Sequence, residues 1–272
     1  MSYIPLIAKV DSLPPLPESV LKIESLFMSD EPEIDDIVKV IEGDPSLTAD
    51  ILAKVNAPYY GFSKNIISIL QAVTLFGSSQ IRSIVLSSSI NRCFDIDLSP
   101  YDLSTIEFSK ISSIQSELIF QWYMGIDIDI ARSLTPIAFL METGKILIAK
   151  DILQNKKTEA FLSDLIRYQD IAYVENIHTM MTTAQINALI FKHLHLNDTF
   201  WESMKYLDDE REVPKHMKEM VFALQVVRSA VNIQEQFSEN SMKKALGLLT
   251  DNNFSTDSFV RISKRLQRKY LD

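Results

Sequence analysis

The stretch IEGDPSLTADILAKVNAPYYG, residues 41–61, indicates most directly how this chain folds. Gly43 ends one apolar helical stripe, and Asp44 followed by Pro45 begins the next, because aspartate caps a helix and proline fits its first turn. Apolar residues then recur every three or four positions until a loop that begins at Asn56 and closes at Gly61. The same spacing continues on both sides of this stretch, which predicts an all-α protein.

Helix-start signals and apolar spacing divide the rest of the chain into further helices. About five short helices are expected in the N-terminal part, including one opened by Pro17. Residues 94–104 gather Asp, Ser and Pro without helical spacing, which favours a connection between two lobes, residues 1–99 and residues 100–272. The other predicted helices span about 66–76, 79–92, 102–124, 130–153, 158–170, 179–194, 198–207, 214–237, 241–250 and 256–270.

Composition narrows the range of partners and compartments. The 272 residues carry a net charge of −9, so the chain has no general attraction for nucleic acid or for anionic membranes. Cys93 is the only cysteine, which excludes an internal disulfide, and its place at the end of a predicted helix favours a structural role. Without a signal peptide or an apolar run of about 18 residues, the protein is expected to be cytoplasmic.

The residues taken by themselves present no assembled catalytic set. The six glycines form none of the phosphate-binding loop motifs, and no G-x-S-x-G occurs. The acidic residues that cluster in the sequence lack calcium-loop spacing and are interpreted as solvated surface. They are the pairs Asp95/Asp97 and Asp127/Asp129 and the triplet 208–210. We therefore expect no catalytic residue, no metal site and no cofactor. The histidines are likewise interpreted as surface or half-buried residues, at His178, His193, His195 and His216.

Several ordered motifs between Leu13 and about Ile90 resemble the HDOD family, the HD-related output domain of bacterial signalling proteins. The resemblance implies an N-terminal HDOD helical lobe packed on a C-terminal lobe built like an HD phosphohydrolase. The first motif, LPPLP at 13–17, is interpreted as a helix entry in preference to a polyproline ligand. The others are Ile41-x-x-Asp44-Pro45-x-Leu47-Thr48, Leu52-x-x-x-Asn56-Ala57-x-Tyr59-Tyr60-Gly61, Ile69-x-x-Ala72-Val73-x-x-x-Gly77 and Ile81 to Leu86.

The same resemblance allows a comparison with true HD hydrolases, which bind metal through histidines and aspartates. It places Met141 and Glu142 where those enzymes carry their adjacent His-Asp pair. A thioether is no ligand for a hard metal ion, so the resemblance implies a degenerate site whose former ligand positions have a packing role. The remaining positions that it assigns to metal ligands are Phe108 for the first histidine, Thr183 and Leu207-Asp208 for later histidines, and Val231 for the last aspartate.

The resemblance implies a non-catalytic signalling module that binds a separate protein chain. Two alternatives stay open: a small-molecule or cyclic-nucleotide sensor, and a divergent metal-dependent phosphohydrolase. The oligomeric state is also open. An aromatic loop formed by Asn56, Tyr59, Tyr60 and Phe62 has two interpretations, either a contact patch for that partner or side chains tucked under the lobe.

Overall fold

A computed structural model describes residues 4–28, 32–209 and 213–271 of the chain, so Glu210 of the acidic triplet lies outside the described residues. Within these ranges the prediction of an all-α protein is confirmed. The helices are α1 Ile4–Asp11, α2 Glu18–Leu26, α3 Ile34–Glu42, α4 Pro45–Val55, α5 Ile69–Phe76, α6 Ser78–Asn91, α7 Thr105–Tyr123, α8 Ile128–Leu140, α9 Gly144–Gln154, α10 Thr158–Tyr168, α11 Ile171–Thr179, α12 Thr183–His193, α13 Asp198–Lys205, α14 Lys218–Ala230, α15 Glu239–Asp251 and α16 Asp257–Tyr270.

The capping signal at Asp44 works as the sequence predicts. Its side chain accepts a hydrogen bond from the backbone N–H of Leu47 at 3.0 Å, and Pro45 occupies the first helical position. The hydroxyl of Ser19 donates to the same carboxylate at 2.7 Å. Burial of Leu47 and Ile51 then sets the inner face of α4. Asp44 therefore starts α4 and also ties it to α2.

Helix α6 lies at the centre of the molecule and is buried along most of its length. Ser83, Ser87 and Ser88 are all at most 5% exposed, and their small side chains let α2, α4 and α8 pack closely around α6. Helix α2 precedes the proposed lobe boundary and α8 follows it. Buried residues of both helices belong to one continuous apolar core. The division into two lobes near Pro100 stays a prediction.

The structure corrects four predicted helix boundaries. The predicted helix 130–153 is two helices, because a turn at Met141–Thr143 separates α8 from α9. The predicted helix 214–237 contains only α14 and a short 3-10 turn before it, because the Asn232 side chain accepts from the N–H groups of Gln234 and Glu235 and so turns the chain. The helix predicted from about 66 begins at 69, where Ser68 caps it. The helix predicted over 179–194 begins at 183, because residue 179 is the last residue of a separate helix, α11.

Helix α1 is a further element that the sequence analysis did not identify. It is eight residues long, and Leu6 and Val10 are both 2% exposed. It packs against α9 and α12, and the Lys9 ammonium pairs with Asp151 of α9 at 3.2 Å. Tertiary contacts therefore hold this helix, because so short a helix is marginal by itself.

No single helix of the described chain is long and apolar enough to cross a membrane, although α5 and α6, bent by 119°, together meet the length and composition criterion.

Candidate functional site

The site forms around the turn that separates α8 from α9. Asn187 of α12 holds this turn: its Nδ2 donates to the carbonyl of Met141 at 2.6 Å, and its Oδ1 accepts from the N–H of Gly144 at 2.7 Å. Asn187 is completely buried. Because backbone groups freed by a helix break need partners inside a protein, this one side chain stabilises the break.

Gly144 lets α9 approach the start of α12 closely. A Cβ at this position would lie 2.6 Å from the carbonyl oxygen of Thr183, a distance that real Cβ atoms do not reach. Glycine is therefore required by the close approach of the two backbones. The approach brings Lys145, the next residue, beside Thr183.

Three charged side chains meet behind this turn, and we call Glu142, Lys145 and Glu175 the charged cluster. The Lys145 ammonium lies 2.9 Å from Glu142 Oε2 and 3.0 Å from Glu175 Oε1. The exposed fractions are 2% for Glu142, 4% for Lys145 and 1% for Glu175. Two carboxylates therefore share one ammonium group in the protein interior.

Neutral hydrogen-bond donors complete the surroundings of both carboxylates. Glu175 accepts from the Tyr101 hydroxyl at 2.9 Å, from the Thr183 N–H at 2.6 Å and from the Thr183 hydroxyl at 2.7 Å. Gln115 donates from Nε2 to Glu142 Oε1 at 2.9 Å, and the same Nε2 donates to the carbonyl of Val231. Buried charges are tolerated only when they are paired and hydrogen-bonded in this way.

Two groups of the charged cluster, Glu142 and Lys145, are stabilised in their charged forms. Burial by itself raises the pKa of Glu142, but the Lys145 ammonium and the Gln115 amide together hold it below its ordinary value of 4.5. Burial by itself lowers the pKa of Lys145, but Glu142 and Glu175 together hold it above its ordinary value of 10.5. Burial and the neighbouring carboxylate of Glu175 raise the pKa of Tyr101, so its hydroxyl keeps the proton that it donates.

The two pKa shifts predict how the stability of the fold depends on pH. The lowered pKa of Glu142 gives stability that is present above its ordinary value of 4.5 and is lost as pH falls through the folded pKa. The raised pKa of Lys145 gives stability that is complete below 10.5 and is lost as pH rises through the folded pKa. Urea unfolding of wild type and Glu142→Gln at a series of pH values should show a smaller acid-side loss in the variant. Equal losses would show that Glu142 is not the group responsible.

A cavity of about 480 Å³ borders the charged cluster. On its wall, the Arg228 guanidinium pairs with Asp208 at 2.7 Å, and the Thr182 hydroxyl donates to the same carboxylate at 2.5 Å. Glu142, Lys145 and the Arg228–Asp208 pair therefore face one space with charges of both signs. Such a lining suits a polar ligand better than an apolar one.

The structure brings together most of the positions that the resemblance assigned to former metal ligands. Glu142, Thr183 and Asp208 all line the cavity. Leu207 and Val231 are buried, and they contribute backbone carbonyls that accept hydrogen bonds from Arg228 and Gln115. The Met141 side chain is 1% exposed, as a packing role requires.

Phe108 lies elsewhere in the core. It packs beside Phe139 and Tyr60 around a space of about 10 Å³ and does not line the cavity. On α7 it is Gln115, two helical turns further along, that contacts Glu142 and Val231. Gln115, Lys145, Glu175 and Arg228 were not singled out from the sequence. Only Lys145 carried a local signal, because it follows Glu142 at the i+3 spacing of a helical ion pair.

The donor set does not fit a metal ion. Within the described residues, no group of three or more His, Cys, Asp or Glu side chains is arranged to hold one. The lining of the cavity, as far as the chain is described, includes no histidine. A metal ion beside Glu142 would also have to displace the Lys145 ammonium, which already neutralises that carboxylate.

The residues of the aromatic loop differ in how far they are buried. Asn56 is half-buried and fixed in place, because its amide donates to the carbonyls of Leu52 and Ile66 and accepts from the Ile66 N–H, each at 2.8 Å. Tyr60 is buried, and its hydroxyl lies 3.0 Å from that of Ser113. Tyr59 is half-buried against Tyr60. Phe62 differs, because 46% of its surface is exposed.

Comparison with known proteins identifies a family model, described as "HDOD domain", that matches residues 13–210. An "Uncharacterized protein" of Treponema pallidum (strain Nichols) is 29% identical over 84 residues, and this match covers 31% of the present chain and 16% of the relative. The chain therefore aligns with only a small part of that longer protein.

Solved structures extend the similarity over nearly the whole chain. A virulence factor from Campylobacter jejuni subsp. jejuni is 26% identical, with a TM-score of 0.61 and coverage of 99% of this chain and 97% of that one. A "Putative signal transduction protein" from Marinobacter aquaeolei VT8 is 17% identical, with a TM-score of 0.72 and coverage of 96% and 58%. A "Putative phosphohydrolase" from Shewanella amazonensis SB2B is 15% identical, with a TM-score of 0.66 and coverage of 97% and 93%. The last two similarities show the fold alone.

Proposed function

The chain belongs to the HDOD domain family, and from this premise we propose that it is a non-catalytic signalling module of the cytoplasm that acts by binding a separate protein chain. The observation that carries the proposal is the charged cluster. Lys145 neutralises Glu142 at 2.9 Å, so the one carboxylate aligned with the aspartate of the His-Asp pair is already engaged.

The surroundings of Glu142 support the same proposal. A phosphohydrolase of the HD type needs a cation that polarises phosphate and activates water. Here Met141 offers a buried thioether, and Val231 offers only a carbonyl, which is itself bonded to Gln115. Asp208 is engaged by Arg228 and Thr182. The carboxylates of Glu142, Glu175 and Asp208 therefore each have a protein partner that a metal ion would have to replace.

We expect purified protein to show no metal-dependent hydrolysis. The assay would use a chromogenic phosphomonoester, a chromogenic phosphodiester and a cyclic dinucleotide, each with Mg²⁺, Mn²⁺ or Ni²⁺. Rates for wild type and Glu142→Gln should both equal the protein-free blank, because the cluster leaves no ligand set for the ion. Elemental analysis of protein purified without chelator should find far less than one metal ion per chain.

The outcome that contradicts the proposal is hydrolysis that requires metal and disappears in Glu142→Gln. It would favour the divergent phosphohydrolase. The cavity supports the other alternative, a sensor for a polar small molecule. A nucleotide that raises the melting temperature without being hydrolysed would favour the sensor, since a ligand at 100 times its Kd adds about 2.7 kcal/mol to stability.

A further inference from the structure

An apolar groove of about 480 Å³ lies away from the charged cluster, between α5, the start of α6, the C-terminal half of α7 and the start of α8. Its apolar lining, which defines the apolar groove, consists of Phe62, Leu75, Phe76, Phe120, Met124 and Ile128. Leu75 is 54% exposed and Met124 51%. Large apolar side chains exposed together are typical of interaction surfaces, where aromatic residues and methionine are enriched.

One border of the apolar groove is strongly basic. Helix α16 carries five exposed cations and a single carboxylate, Asp257, which gives this helix a charge of +4 in a chain whose net charge is −9. The five cations, which we call the basic stripe, are Arg261, Lys264, Arg265, Arg268 and Lys269. Among the described residues, none of Arg261, Lys264 and Arg268 has a carboxylate partner for its charge.

The apolar groove and the basic stripe are continuous. Lys269 lines the groove, and Arg265 donates to the Gln121 side chain, which also lines it, at 2.5 Å. At the other end, the first turn of α6 at Ser78 and Ser79 also lines the groove. A helix N-terminus carries partial positive charge, so it adds to the potential that the basic stripe creates. Glu117 also lines the groove, but its carboxylate is paired with Lys269 at 2.7 Å. The surface therefore combines an apolar floor with a positive edge that the other four cations of α16 provide.

We propose that the apolar groove and the basic stripe together bind an amphipathic helix of a partner protein, with apolar side chains in the groove and carboxylates against α16. A helix in an apolar groove is a common form of protein recognition, and charges at the edge set its orientation and specificity. Nucleic acid would use the basic stripe but not the apolar floor. The inference rests on the proposed function, because it names the surface through which such a module would bind its partner.

The experiment uses two fluorescein-labelled peptides with leucines at helical a and d positions. One carries glutamates at the remaining positions, and the other carries lysines. We expect the full chain to bind the acidic peptide more tightly in an anisotropy titration, although its net charge by itself would favour the basic one. The variant Lys264→Glu/Arg268→Glu should bind the acidic peptide about tenfold more weakly, and its residual affinity should depend less on salt.

Matched variants separate the local effect from a general one. Leu75→Asp, at an exposed position in the groove, should abolish binding, whereas Ile106→Asp, which is 67% exposed and outside the groove, should not. Lys150→Glu/Lys243→Glu changes the net charge by the same amount on α9 and α15 and should leave the affinity unchanged. Circular dichroism melts confirm that each variant is folded.

Three binding results would overturn the inference. They are equal or tighter binding of the basic peptide to wild type, no saturable binding of the acidic peptide, or losses of affinity in Ile106→Asp and Lys150→Glu/Lys243→Glu as large as those in Leu75→Asp and Lys264→Glu/Arg268→Glu. Concentration-dependent self-association that Leu75→Asp abolishes would assign the groove to a second copy of the chain and would equally overturn it. These results leave the proposed function standing, because it is tested by the hydrolysis assay and the nucleotide thermal shift, and none of these results measures either.

Discussion

Replacing Lys145 with methionine is expected to lower the free energy of unfolding by about 3–5 kcal/mol. Methionine has a similar length and fills the same space, so the change removes the charge more than the volume. Glu142 and Glu175 would then remain buried, at 2% and 1% exposure, without the ammonium that lies about 3 Å from each of them. Urea unfolding at neutral pH measures the difference.

Two controls test this reason. Lys150→Met changes an exposed lysine on the same helix, so the free energy of unfolding should change by less than about 0.5 kcal/mol. Glu142→Gln/Lys145→Met/Glu175→Gln removes all three charges, and it should recover a large part of the stability lost in Lys145→Met, because no buried charge is left unpaired. A triple variant less stable than Lys145→Met would show that the charges are not the cause.

Replacing Arg82 with methionine is the second change with a large expected effect, a loss of about 2–4 kcal/mol. Arg82 of α6 donates from Nε and Nη2 to both oxygens of Glu24 on α2, at 2.8 and 2.7 Å. Its guanidinium carbon also lies 4.9 Å from the ring centre of Phe27 and 5.4 Å from that of Phe200. One side chain thus connects α2, α6 and α13, and its loss leaves a carboxylate near the core unpaired.

The matched control is Arg92→Met, at the residue that directly follows α6. Arg92 pairs with Asp50 at 2.6 Å, but both side chains are more than a third exposed, at 37% and 35%. An exposed pair contributes at most about 1 kcal/mol, so this variant should be close to wild type in thermal and urea unfolding. Equal losses in Arg82→Met and Arg92→Met would mean that burial does not determine the contribution of these pairs.

Some features of the fold and the site can be predicted from the sequence, because their signals lie within a few residues of each other. Glu142 and Lys145 lie three residues apart, and Asp44 with Pro45 marks a helix start in two residues. By contrast, the break between α8 and α9 has only a weak local signal, Gly144, because a single glycine also occurs inside helices. The groups that stabilise the break come from Asn187, more than forty residues away along the chain.

The position of the basic stripe beside the apolar groove could not be predicted from the sequence either. The basic residues of α16 can be read directly from the sequence, where cations in the last turn of a helix complement its dipole. Their position beside an apolar groove depends on how α16 packs against α7, which no periodicity within α16 reveals.

The resemblance to the HDOD family implies that residues such as Met141 fill the ligand positions of an HD hydrolase. By itself, the sequence determined that the chain is helical and that several helices begin at recognisable caps. These properties follow from spacing, capping and residue chemistry, each of which acts within a few residues. The tertiary structure alone decided that Glu175 shares the Lys145 ammonium with Glu142, and that Gln115 lies beside that carboxylate. Helices distant in sequence meet there because packing selects one arrangement of their apolar faces, and the polar groups that this arrangement buries must find their partners across it.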